Sequence, residues 1–167
     1  MKEFCGYRGW GSIGKLDSML GPLKKARLYL EREVGLASEE GGLFAEPESR
    51  HALTLSGSPY QCLEGRVECM GPEALFSLYR EREPQAFQGL EGAYALALWD
   101  GPQGKLYLGR DCLGLEPLFY WRDGSLLLFS NRLKSLLRCP EVKAKSAGID
   151  LLALDHFLTY LSVPFER

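Results

Sequence analysis

The stretch from Gly92 to Trp121 constrains the fold of this chain more than any other. Residues 93–99 are almost wholly apolar, as a strand must be when both of its faces are covered. Asp100-Gly101-Pro102-Gln103-Gly104 then supplies turn chemistry between two strands. Residues 105–109 alternate, with Leu106 and Leu108 on one side. Residues 117–121, a turn at Asp123-Gly124 and residues 126–129 predict a second hairpin.

The flanking segments add helices. Pro72 suits a first helical turn, and Leu75, Leu78 and Tyr79 make one apolar stripe that ends before Pro84. Residues 132–137 and 151–161 read as helical, with Asp150 as N-cap of the second. Nearer the N-terminus, residues 4–10 are aromatic and broken by Gly6 and Gly9, which predicts a buried strand with close backbone approach. Asp17 is placed as the cap of a helix with Met19, Leu20, Leu23 and Leu28 on its apolar face. A polar turn at residues 38–42 separates strand-like pieces at 33–36 and 43–45. Residues 52–55 alternate and run into a turn at Ser56-Gly57-Ser58-Pro59. Helices flanking a block of mostly antiparallel strands make the class α+β, expected as a single domain over residues 1–167.

Composition narrows the function. Formal net charge is -2 and charged residues are 25% of the chain, so nothing favours nucleic acid or an anionic membrane. No apolar run reaches the ~18 residues that span a bilayer, and Met-Lys-Glu-Phe is no signal core, so the expected location is cytoplasmic. The five cysteines are an odd, scattered set without a Cys-x-x-Cys pair, which argues against a disulfide framework and a metal site. His51 and His156 stand alone in the sequence and receive no chemical role.

Two stretches carry a family likeness. Leu90, Gly92, Tyr94, Ala95, Ala97, Leu98, Trp99 and Asp100 match "L-x-G-x-F-A-F-A-L-W-D". Gly109-Arg110-Asp111-Cys112-Leu113-Gly114-Leu115-Glu116-Pro117-Leu118-Phe119-Tyr120 matches "L-A-R-D-x-L-G-I-K-P-L-Y-Y". Leu128-Phe129-Ser130-Asn131-Arg132-Leu133-Lys134 follows as "L-x-F-A-S-E-I-K", and residues 149–164 match the closing helix. The chain thereby resembles the class II glutamine amidotransferase domain of asparagine synthetases. The likeness implies a four-layer αββα sandwich of the N-terminal-nucleophile hydrolase type, with glutamine as ligand, no cofactor, and a synthetase domain or protein as partner.

The family's site residues carry over to weaker positions. Cys5 in Cys5-Gly6 corresponds to the nucleophile. In the family this is the first residue, whose thiolate attacks the glutamine amide with its own α-amine as base. Here residues precede it, so its nitrogen is an amide unless a propeptide is removed. Ser56-Gly57 stands where the family has the Asn-Gly of the oxyanion hole. Arg27 stands nearest the arginine of Arg-Gly-Pro-Asp, read here as a solvated helix charge. Met70-Gly71-Pro72-Glu73 replaces Ser-Asp-x-Glu, leaving Glu73 as the acid, more naturally the helix glutamate. Cys5 reads as a buried structural thiol, and Arg110-Asp111 as an ion pair or turn contact.

Three functions follow as expectations. The first is a glutaminase-like domain with little or no hydrolysis, acting as scaffold for an ATP-dependent amide-forming synthetase, whose Ser-Gly-Gly-x-Asp-Ser motif is not in this sequence. The second is an active glutaminase with Cys5 exposed by processing. The third is an interaction module without a ligand.

Overall fold

The computed structural model describes residues 2–9, 13–21, 25–63, 66–145 and 148–161. Trp10, Pro22, Leu23 and the C-terminal part of the family likeness at 162–164 lie outside them. In chain order the elements are β1 (Phe4–Arg8), α1 (Ile13–Leu20), β2 (Ala26–Glu31), β3 (Val34–Glu39), β4 (Leu43–Glu46) and β5 (His51–Gly57). A hairpin of β6 (Tyr60–Leu63) and β7 (Arg66–Cys69) comes next, then α2 (Pro72–Arg82) with a 3-10 turn at Glu83–Phe87. The second half holds β8 (Tyr94–Asp100), β9 (Lys105–Arg110), β10 (Phe119–Asp123), β11 (Leu126–Ser130), α3 (Leu133–Leu137), α4 (Pro140–Lys145) and α5 (Leu151–Tyr160).

These make four layers. A five-stranded sheet, in order β10-β11-β1-β3-β2, packs on a four-stranded sheet, in order β4-β5-β8-β9, and every pairing in both is antiparallel. Phe4, Tyr29, Val34, Leu36 and Phe129 of the first sheet meet Ala52, Ala95, Ala97 and Trp99 of the second. On the outer face of the first sheet, Leu16, Met19 and Leu20 of α1, Leu136 of α3 and Val142 of α4 close a second core. On the outer face of the second sheet, Leu75, Phe76, Leu78 and Tyr79 of α2 cover Leu53, Leu55, Leu96 and Leu98. This is the αββα sandwich expected from the family likeness. β8 is buried at every residue, because it lies between two strands in its sheet and between two layers across it.

Glycines let the aromatic residues into the sheet. A Cβ on Gly35 would lie 2.3 Å from the Tyr7 ring, and one on Gly6 would lie 2.4 Å from the Phe129 ring. Both positions face a cross-strand aromatic side chain, so nothing larger fits.

The structure corrects four local expectations. Arg27 and Leu28 lie on β2, beyond the end of α1. Tyr29 faces the core while Leu28 and Leu30 face out, a period of two that a helix cannot produce. Asp17 lies inside α1 and does not cap it. Ser38 and Glu39 continue β3, and Ser56 and Gly57 end β5, so both turns begin later than their polar residues suggest. The β6–β7 hairpin and α4 carry too little periodicity to be read in sequence.

Candidate functional site

Cys5 lies on the central strand of the five-stranded sheet, opposite Ser130 and Ala37. Side chains alternate along a strand. Phe4 therefore enters the core between the sheets, and Cys5 points into the helix-covered core with Leu16, Met19, Leu128 and Leu136. Cys5 is 1% exposed. Its burial, and secondarily the Glu3 carboxylate, push its pKa up, which disfavours the thiolate a nucleophile needs.

The segment before Cys5 is held by hydrogen bonds. Lys2 Nζ donates to the Gly41 carbonyl at 2.8 Å, and Asn131 Nδ2 donates to the Lys2 carbonyl at 2.7 Å. The Glu3 N–H donates to Glu39 Oε2 at 2.9 Å, and its buried carboxylate meets Ser135 Oγ and, at 3.3 Å, the Arg132 guanidinium. The Phe4 N–H donates to Asn131 Oδ1 at 2.8 Å. The Phe4 carbonyl accepts from Ser130 Oγ at 2.8 Å and from the Asn131 N–H at 3.2 Å.

Ser56 and Gly57 end β5 beside β8, paired with Ala95 and Tyr94. Ser56 shares a strand face with Ala52, which looks toward the other sheet, and it is fully buried. Its hydroxyl donates to Glu116 Oε2 at 3.1 Å. Gly57 has φ +89°, and a Cβ there would lie 2.1 Å from the Ala93 carbonyl oxygen, so conformation and space both require glycine. Gly57 borders a pocket of about 230 Å³ with Lys2, Gly41, Met70, Gly71 and Pro72.

The remaining positions lie apart. Glu73 is exposed in the first turn of α2, next to Pro72 but outside the pocket lining. Arg27 is exposed on β2, in register with Ser38, which is in register with Phe4. That row places Arg27 two strand spacings, about 10 Å, from Phe4. The structure thus gathers Gly57 and Lys2 around one pocket and leaves Cys5, Arg27 and Glu73 outside it.

Glu116 is the buried group that the sequence reading missed. It is placed by Asp111, whose carboxylate accepts from the N–H groups of Leu115 at 2.8 Å, Glu116 at 2.9 Å and Tyr94 at 3.3 Å. The Glu116 N–H is the foremost of the backbone donors that hold the Asp111 pKa below the usual carboxylate range. Gly114 completes the turn at φ +67°. Asp111 is therefore a turn device, and Arg110 forms no ion pair with it among the described residues. The Asp-x-x-Gly spacing marks the turn in the sequence, while the burial of Glu116 has no local signal. Among the described residues no three His, Cys, Asp or Glu side chains group as metal ligands, and no helix is long and apolar enough to cross a membrane.

Residues 63–167 match the family described as "Glutamine amidotransferase domain". Asparagine synthetase [glutamine-hydrolyzing] 3 of Bacillus subtilis is 37% identical over 73 residues, covering 44% of this chain and 12% of that protein. Asparagine synthetase B [glutamine-hydrolyzing] of Escherichia coli is 33% identical over 130 residues, covering 77% of this chain and 22% of that protein. The chain thus spans a quarter or less of the length of these relatives. In fold it is similar to the glutamine phosphoribosylpyrophosphate amidotransferase of B. subtilis, with a TM-score of 0.53 and 12% identity over 80% of this chain and 42% of the other. With residues 63–167 matched and the sandwich in place, the chain belongs to the class II glutamine amidotransferase domains of the asparagine synthetase family.

Proposed function

We propose that residues 1–167 form a single amidotransferase-fold domain that does not turn over glutamine and serves as scaffold for an ATP-dependent amide-forming synthetase. The observation that carries this reading is the placement of Cys5. Glutamine hydrolysis in this family needs a thiolate open to the substrate amide and a free α-amine beside it as base. Here the thiol lies in a helix-covered core, and its nitrogen belongs to a peptide bond whose carbonyl accepts two hydrogen bonds.

The second support is electrostatic. An oxyanion hole presents donors to a developing negative charge, and one missing donor costs about 2.7–4 kcal/mol of transition-state stabilisation. At the position of the family's asparagine, Ser56 donates its hydroxyl to a carboxylate. That donor is already used, and its partner has the wrong sign for an oxyanion. Arg27 and Glu73, the counterparts for the glutamine carboxylate and ammonium, do not border the Gly57 pocket.

The test is ammonia release from glutamine by the purified chain and by Cys5→Ala, alongside intact mass. The scaffold reading expects an unprocessed N-terminus and identical background release from both proteins. A species beginning at Cys5 with release that Cys5→Ala abolishes would establish the processed enzyme instead. Co-purification with a synthetase-type protein tests the scaffold role itself.

A further inference from the structure

The sandwich is open along one side. There β9 ends the four-stranded sheet and β10 ends the five-stranded sheet, so each presents a row of backbone N–H and C=O groups with no strand partner among the described residues. Both edges border one groove of about 1100 Å³. Leu108, Leu118 and Leu127 make its apolar wall. It lies at the Arg8 end of β1, three residues or about 10 Å along the strand from Cys5.

Its charge is one-sided. Arg8, Arg110 and Arg122 line it, against Glu33 as the one carboxylate among the described lining residues. None of the ion pairs formed among the described residues uses these three arginines. Arg8 donates to the Gly104 carbonyl at 2.8 Å and sits over the Trp99 ring, and Arg122 Nε reaches the Gly124 carbonyl at 3.4 Å. β10 is exposed at four of its five residues, with Tyr120 69% accessible.

We propose that this groove takes an extended acidic peptide segment of a partner protein, which adds to β10 as a further strand. Edge-strand addition draws affinity from main-chain hydrogen bonds and specificity from alternate side chains. Residues paired across two strands share a face, so Arg122 points with Leu127 into the groove and Phe119 with Trp121 to the other face. Carboxylates on one face of the segment meet Arg110 and Arg122, and apolar side chains on its other face lie along Phe119. A second copy of this chain is the poorer occupant. It would bring its own Arg110 and Arg122 into the same groove, and facing like charges destabilise a ladder.

The probe is a fluorescent, end-blocked peptide of alternating Glu and Val, about the length of one strand, titrated against the full chain. Controls are the same peptide with Lys for Glu, and one with Pro at alternate Val positions. Saturable binding that weakens with salt is expected for the Glu peptide alone, with amide-exchange protection gained at residues 119–123. Arg110→Glu with Arg122→Glu weakens it about tenfold or more. If that double variant fails to fold, Arg122→Gln, on the exposed edge, is read in its place. The proposal is overturned by absent binding, by equal binding of the proline peptide, by unchanged affinity in the arginine variants, or by a concentration-dependent dimer that excludes the peptide. None of these outcomes depends on whether glutamine is hydrolysed.

Discussion

Ser56 Oγ donates a hydrogen bond to Glu116 Oε2 at 3.1 Å, tying the end of β5 to the loop before β10 with both residues buried. The link keeps a buried carboxylate satisfied. Ser56→Ala removes the donor, and losing a hydrogen bond to a charged group costs about 1.5–3 kcal/mol. Urea denaturation should show that loss. Ser56→Ala combined with Glu116→Leu should cost less than the sum of the two single changes, because the second removes the charge that the first leaves unpaired.

Asp111 predicts a pH dependence. Backbone donors hold its folded pKa below the unfolded value of about 3.9. A carboxylate lowered in this way contributes stability that is present above the unfolded pKa and is lost as pH falls through the folded one. Asp111→Asn should lower the melting temperature at neutral pH. The gap from wild type should begin to narrow as pH falls below about 4 and vanish only below the folded pKa, where the Asp111 carboxyl is protonated in both states. A gap that stays constant down to acid pH would show that the interaction does not depend on the charge.

The thiols should react in two groups. Cys62, Cys69 and Cys112 are exposed, whereas Cys5 and Cys139 are buried. Burial, with its hydrogen bond to Glu141, pushes the Cys139 thiol up to about 11, and burial raises Cys5 as well. Iodoacetamide at mildly alkaline pH should label the three exposed cysteines, and Cys5 and Cys139 only after unfolding. Fast labelling of Cys5 in the native protein would contradict its place in the helix-covered core.

Gly57→Ala should destabilise the fold. A non-glycine residue at positive φ costs of order 1–3 kcal/mol, and the added Cβ also meets the Ala93 carbonyl. Gly104→Ala is the comparison, since Gly104 has φ +63° with open space around it. A smaller loss at residue 104 than at residue 57 in chemical denaturation would separate strain from clash.

Legibility followed burial. The apolar run of β8 and the turns on either side of β9 and β10 were readable because local pattern and tertiary environment agree there. The N-cap of α5 was readable too, and Asp150 accepts from Leu152 and Ala153 as its position predicted. β2 was not, since an edge strand with two outward leucines imitates part of a helix stripe. The Ser56–Glu116 link joins residues sixty positions apart, and nothing local to either announces it. Ser56-Gly57 was located by family likeness, but only the packed structure shows what the serine hydroxyl does.

The most direct test of the account is a glutaminase assay on chain whose N-terminus has been verified by intact mass. A non-hydrolysing scaffold keeps residues 2–4 attached to Cys5, with ammonia release that is the same for wild type and Cys5→Ala. Protein that begins at Cys5 and releases ammonia from glutamine, with that release lost in Cys5→Ala, would contradict it.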